Sequence, residues 1–172
     1  MAEVFELHNR DKFKIFAFSF GKPVDDPMRI RLKNSFDHFL DVSDKTPQDI
    51  CALSREMQIN IAADLCGFTE NARTEIFALR AAPIQVSYIG FLGTIDANYM
   101  DYLIADEAII PAALRPHYTE NIIYLPSYQA NDSKRSAGSK MYCKKDFGIE
   151  ADQFVFCNLN NLFKVTEEIF NS

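Results

Sequence analysis

The sequence predicts an α/β fold built on a parallel sheet, and three observations carry that prediction. Short apolar runs recur through residues 14–126. The segments between the first four runs carry apolar residues at helical spacing. Gly, Pro, Asn and Asp punctuate the boundaries. Strands that alternate with helical segments are the pattern of parallel strands joined by right-handed crossovers, as in Rossmann-like sheets.

Residues 14–20, KIFAFSF, are dense in aromatic and β-branched side chains, and Gly21 and Pro23 close them as a strand. Residues 25–39 open on two acids and Pro27. Met28, Leu32, Phe36 and Phe39 then fall at helical spacing, so a helix with that apolar stripe is expected. Residues 39–44 read as a brief strand. Thr46 is an N-cap candidate, Pro47 the first helical residue, and Ile50, Leu53 and Met57 the buried stripe. Residues 59–64, INIAAD, form a near-continuous apolar run, the kind covered on both faces of a parallel sheet. A third helix is expected from Thr69 or Asn71, with Ile76, Phe77 and Leu79 apolar and Pro83 beyond its end. Residues 84–91, 101–106 and 121–126 complete six strands, with Gly93 marking a loop between the first two of these.

Beyond Pro126 the texture changes. Residues 127–145 are polar and aperiodic, and residues 133–145 carry Lys134, Arg135, Lys140, Lys144 and Lys145 without an acid. This is the composition of a linker, or of a basic loop facing an anion. Residues 154–159 read as a further strand, followed by an Asn-rich bend and Thr166 at the start of a helix. The expected organisation is a Rossmann-like unit over 1–132, a linker over 133–149, and the truncated opening of a second unit over 150–172.

Composition narrows the function. Apolar residues make up 48% and charged residues 24%, an ordinary globular balance. The net charge of −6 argues against a general nucleic-acid binder, which needs a basic face. No apolar segment approaches the length of a membrane span, and the first residues lack a secretory pattern, so a cytoplasmic location is expected. Cys51, Cys66, Cys143 and Cys157 are widely spaced, two of them within apolar runs (ADLCGF and FVFCNL). They read as buried thiols rather than zinc ligands, since no C-x-x-C pair is present and the histidines are scattered.

Phosphate-loop, dinucleotide, zinc-protease and nucleophile-elbow motifs are all absent. In an open parallel sheet the loops after the strands line the ligand crevice, which places residues 67–72 and 93–96 at that edge. A helix starting near Thr69 would aim free N–H groups there, although Thr69 also reads simply as a cap. Arg73 and Arg80 fall seven residues apart on roughly one face of the presumed helix and read as a surface or helix-end salt bridge, Asp101 and Asp106 as acids or turn caps. His117 reads as a base or an exposed loop residue. Lys164, just after a strand and in an Asn-rich bend, is placed to neutralise a diphosphate leaving group.

Three stretches carry a more specific signal. GFTENARTEIFALRAAPIQVSYIGFLGTIDANYMDYLIADEAIIP (67–111), HYTENIIYLPSYQANDSKR (117–135) and FVFCNLNNLFKVTEEIF (154–170) resemble the catalytic region of the O-GlcNAc transferase/SPINDLY-like glycosyltransferases. The resemblance is strongest to bacterial members that carry tetratricopeptide repeats, and extends more weakly to ELHNRDKFKIFAFSFG (6–21). It implies a GT-B fold, two Rossmann-like halves facing a cleft, with this chain supplying the N-terminal half and the first strand of the C-terminal half. It also implies metal-independent transfer of GlcNAc from UDP-GlcNAc, with no cofactor, to Ser/Thr hydroxyls of proteins.

The resemblance assigns roles to particular residues. The family's N-x-L-Y-K motif falls on Asn160–Lys164, which makes Lys164 the cation on the donor phosphates. Asn161 and Phe163 become donor-binding neighbours, with Phe163 standing where the family has a tyrosine hydroxyl. The G-Y/F-T motif falls on Gly67, Phe68 and Thr69, near sugar and acceptor. Ala81 and Leu92 replace family prolines. The family's H-P motif, most of the nucleotide-binding half and the tetratricopeptide repeats have no counterpart here, so the chain alone is expected to be inactive without a C-terminal half or repeat region as partner. The alternatives are a non-catalytic interaction module derived from such an enzyme, and a protein O-fucosyltransferase of the SPINDLY type.

Overall fold

The computed structural model describes residues 1–22, 24–158 and 165–170. The chain divides into two compact units, Met1–Arg135 and Ser136–Ser172.

The first unit opens with a short helix, α1 (Ala2–Glu6), which the sequence pattern does not announce. Then β1 (Phe16–Ser19) leads through α2 (Pro27–Asn34) to β2 (His38–Asp41), which pairs with it in parallel. Asp26 caps α2 by accepting the Arg29 N–H at 2.7 Å, and Pro27 occupies the first turn, where its missing donor costs nothing. The helix is shorter than expected. Ser35 bonds back to the Arg31 carbonyl at 2.7 Å and ends it, so Phe36 and Phe39 lie beyond. No residue of α2 is buried, and Met28 is half exposed.

Thr46 starts α3 (Pro47–Glu56) as expected, through a reciprocal cap. Its Oγ1 accepts the Asp49 N–H at 3.1 Å, and the Asp49 carboxylate accepts the Thr46 N–H at 3.2 Å. Ile50, Cys51 and Ser54 form the buried face of α3. The remaining strands are β3 (Ile61–Asp64), β4 (Ile84–Ser87), β5 (Tyr102–Ala105) and β6 (Asn121–Tyr124). They lie side by side in that order and all run parallel. A four-residue helix, α4 (Glu75–Ala78), lies between β3 and β4.

All six expected strands are present in this unit, but they make two sheets rather than one: β1 with β2, and β3 through β6. The sheets share a core in which Val42, Ile50, Cys51, Ile76 and Ala81 are buried against Phe18, Leu40, Ala62 and Phe77. A second cluster centres on Leu103, Ala105 and Ile110. Burial follows position in the sheet. Inner strands β4 and β5 carry Gln85, Val86, Ser87, Leu103 and Ala105 buried, whereas Ile61 of β3 is 56% exposed. The expectation that residues 59–64 are covered on both faces therefore fails, because β3 ends its sheet.

Two further expectations change. Cys51, not the cysteines of the apolar runs, is the buried thiol. Cys66 is partly covered, and Cys143 and Cys157 are exposed. In the second unit the described part of the 154–159 stretch forms no strand, and Phe154 and Phe156 are 80% and 91% exposed. The described residues of this unit contain no other strand for it to pair with, and an unpaired strand has nothing to hold its backbone groups. A 3₁₀ turn at Lys144–Phe147 and a short helix, α5 (Glu167–Phe170), are the regular elements among its described residues.

Candidate functional site at the carboxyl edge of the four-stranded sheet

The loops that leave β3 and β4 are fastened back to back by two glycines. A Cβ on Gly90 would stand 2.0 Å from the Leu65 carbonyl oxygen, so only a bare backbone passes there. Gly67 has φ +58°, and a Cβ on it would stand 2.3 Å from the Cβ of Phe91. The Phe68 ring meets that of Phe91 edge-on, with centroids 5.5 Å apart. Phe68 is nonetheless largely exposed, as is its neighbour Thr69.

Asp64, the last residue of β3, organises the first loop. It is 5% exposed, and its Oδ1 accepts the N–H groups of Cys66 at 2.9 Å and Gly67 at 3.2 Å. Its Oδ2 is buried without a hydrogen-bond partner among the described residues. Burial and the adjacent Asp64 charge push the Cys66 thiol upward, so it stays protonated and unreactive near neutrality. Thr69 donates its hydroxyl to the Cys66 carbonyl at 3.0 Å and does not cap a helix. These local bonds, with Asn71 at φ +61°, hold residues 65–74 in turns, and α4 begins only at Glu75. The expected fan of N–H donors starting at Thr69 is therefore absent, and a four-residue helix adds little dipole of its own.

The loop after β4 is braced from below. Glu120, 1% exposed, accepts the Ile95 N–H at 2.6 Å and the Thr94 hydroxyl at 2.7 Å. Ile89 and Asp96 hold φ +62° and +52°. A β-branched residue in that region is strained, and strain of this kind persists only where the surroundings over-determine it. Tyr88 donates to the Tyr128 carbonyl at 3.0 Å, and burial raises its phenol. Asp106 is a turn cap. It accepts the N–H groups of Tyr128 at 2.6 Å and Ile109 at 2.9 Å, and these bonds, Tyr128 first, hold its carboxyl below the ordinary range.

The arginines serve the scaffold. Arg73 donates to the Lys45 and Val42 carbonyls and lies over the Phe20 ring, tying the loop after β3 to that after β2. Arg80 pairs with Asp101 at 2.9 Å and donates to the carbonyls of Tyr99 and Pro83. Asp101 in turn accepts the Gln85 N–H at 2.8 Å. Gln85 has no exposed surface: its side chain receives the Ala81 N–H and donates to the Phe77 and Tyr99 carbonyls. His117 is exposed in a 3₁₀ turn. A cavity of about 430 Å³, lined by Arg55, Asn60, Arg80 and Pro83 among others, lies at the opposite, amino edge of β3 and β4.

The structure thus brings Gly67, Phe68 and Thr69 together with Phe91 at one edge. Asn161, Phe163 and Lys164 lie outside the described residues. Asp64, Gly90 and Glu120 were not singled out by sequence reasoning. For Asp64 the signal was available, an acid ending a strand three residues before a glycine; for Glu120 there was none.

The family model for glycosyl transferase family 41 matches residues 1–135. The chain belongs to that family. It is 37% identical, over all of its length, to an Arabidopsis thaliana protein described as a probable UDP-N-acetylglucosamine–peptide N-acetylglucosaminyltransferase SEC. Over 94% of its length it is 25% identical to a similarly described SPINDLY protein of Eustoma exaltatum. A mutant of the Thermobaculum terrenum O-GlcNAc transferase superimposes on 74% of the chain with a TM-score of 0.70 and 31% identity. This family 41 chain spans about a fifth of those curated relatives, 18% of each, and 24% of the bacterial structure. No helix among its described residues is long and apolar enough to cross a membrane.

Proposed function

We propose that this chain is part of the catalytic region of a protein O-GlcNAc transferase-like enzyme, moving GlcNAc from UDP-GlcNAc to Ser/Thr hydroxyls. The family match over residues 1–135 carries the reading. It is supported by the activity for which the plant relative, at 37% identity, is named. The substrate edge is the pair of loops fastened by Gly67 and Gly90. There Thr69 and the Phe68 ring border the sugar and acceptor, and the buried Asp64 and Glu120 carboxylates keep both loops in one shape. Residues 1–132 are the N-terminal half, 133–149 the linker, and 150–172 the start of the donor-binding half.

Transfer without a metal needs fixed charge at the departing diphosphate. Lys164 supplies it in this reading, with Asn161 and Phe163 beside it, in a cytoplasmic enzyme. Because an oriented cleft needs both halves, the chain alone is expected to turn over no donor. The test is radiolabelled UDP-GlcNAc with a peptide acceptor, with and without a C-terminal half from a family 41 relative. Transfer that appears only on complementation, and falls at least about a hundredfold in Lys164→Met, supports the reading. Transfer from GDP-fucose but not UDP-GlcNAc would move it to the fucosyl alternative. No transfer from either donor, with the two halves shown to associate, favours an interaction module.

A further inference from the structure

The second unit opens on a stretch that nothing holds. Residues 136–142, SAGSKMY, are exposed throughout and irregular, and they make no hydrogen bond with any described residue. A Cβ on Gly138 would meet nothing within 4 Å. Inside the run the Lys140 ammonium lies 4.6 Å from the centroid of the Tyr142 ring, which also meets Phe147.

Both flanks are tied down. Before the run, Asp132 pairs with Arg31, Ser133 donates its N–H and hydroxyl to Glu3, and the Lys134 ammonium pairs with Glu6 at 2.6 Å. The Arg135 N–H donates to the Asp132 carbonyl at 3.1 Å. After the run, the Cys143 N–H donates to the Asp146 carboxylate at 2.8 Å. The Lys144 ammonium donates to the Ala151 and Gln153 carbonyls at 2.8 and 2.7 Å. An endoprotease grips its substrate as an added strand, so the backbone on both sides of the bond it cuts has to be free. Exposed segments of small and polar residues meet that condition best. Lys140 is the one charged residue of the run, with unbonded residues on either side of its bond to Met141. Arg135 is equally basic, but the residues before it are fastened to Arg31, Glu3 and Glu6. Lys144 and Lys145 lie in the 3₁₀ turn. Lys12 and Lys45 lie in turns whose N–H groups bond to the Asn9 and Val42 carbonyls at 3.1 and 3.2 Å.

We propose that the Lys140–Met141 bond is a processing site for a serine endoprotease of the trypsin type, whose acidic primary pocket takes the lysine ammonium. Water is the co-reactant. The peptide C–N bond breaks, the hydroxyl goes to the Lys140 carbonyl carbon, and the proton goes to the Met141 nitrogen. The bonds from Asp132, Ser133 and Lys134 to Arg31, Glu3 and Glu6 all stay within the 1–140 product, so the first unit keeps its fold while the chain beyond is released. The inference does not depend on the transfer activity.

The experiment is brief digestion of the full 172-residue chain with trypsin at a low enzyme ratio, the products being weighed by mass spectrometry. Cleavage after Lys140 should lead cleavage after every other Lys or Arg of residues 1–158, and should run at least about tenfold ahead of Arg135, Lys144 and Lys145. Lys140→Gln should slow the first cut about tenfold or more while leaving the circular dichroism spectrum unchanged. Arg31→Gln, which loosens Asp132 and Glu6, should bring forward the cut after Arg135. The 1–140 product should keep the thermal midpoint of the first unit. A first cut at Arg135, at Lys144 or Lys145, or anywhere within residues 1–132 overturns the proposal. Cleavage after Lys140 that rises with urea in step with unfolding overturns it too, because the bond is then shielded in the folded chain. A 1–140 product without a folding transition overturns the claim that the cut spares the first unit.

Discussion

Two four-residue apolar stretches meet opposite fates in this chain. Residues 102–105, YLIA, form β5, with Leu103 and Ala105 buried and a parallel neighbour on either side. Residues 154–157, FVFC, are richer in strand-forming side chains, yet they lie in irregular, exposed backbone. The difference is not propensity. A β segment becomes a strand when something accepts its hydrogen bonds and covers its faces, and the first unit provides both at β5.

The strongest way to break this contrast is Leu103→Ala, which empties a filled site in the second cluster. It should cost the first unit about 3 kcal/mol by urea denaturation; a loss under half of that would mean that β5 is not as closely packed as described. Gln85→Leu should cost about 2 kcal/mol. It keeps the volume but strands the Ala81 N–H and the Phe77 and Tyr99 carbonyls in a dry interior. Thr46→Ala should cost about 1 kcal/mol through the lost cap of α3. Phe156→Ser should leave the same transition within about 0.5 kcal/mol, since that ring is 91% exposed and meets only the equally exposed Phe154 among the described residues. A larger effect would show that 154–157 does find a covered seat.

Acid sharpens the comparison differently. Hydrogen bonds from Arg31, then Lys134, pull the Glu6 carboxyl down to about 2. The Arg31 bond likewise holds Asp132 low, and the Ser133 bonds hold Glu3 low. A folded value below the unfolded one means stability present above the unfolded value of 4.5 for Glu6 and lost as pH falls toward 2. The first unit's thermal midpoint should therefore drop between pH 5 and pH 3, and Arg31→Gln should flatten that drop. A midpoint as steep in the variant as in the parent would place the acid sensitivity elsewhere.

Much of the fold was legible because its signals are local. Asp26–Pro27 and Thr46–Pro47 fix helix starts by capping chemistry, and the six apolar runs all became strands. Division into two sheets was not legible, since whether β1 meets β3 depends on what stands between them rather than on either run. At the candidate site, the G-F-T motif lies in the loop after β3, at the carboxyl edge of the four-stranded sheet. The sequence expectation of a helix from Thr69 failed because Asp64, five residues earlier, captures the Cys66 and Gly67 donors and keeps the chain in turns. Arg80 reads from sequence as a salt-bridge residue and Asp101 as an acid or a turn cap; their ion pair, with Asp101 also accepting the Gln85 N–H, makes them a structural lock.

The charged cluster described above also sets where the first unit opens and closes. Glu3 and Glu6 sit on α1, and their partners Ser133 and Lys134 are 130 and 128 positions away along the chain. Beginning and exit of the unit are thus neighbours in space. A short linker from residue 135 back to residue 1 would span little distance. New termini cut in the exposed turn at 112–114 would then give a rewired polypeptide with the same sheets, a practical route to attaching cargo without disturbing the loops after β3 and β4.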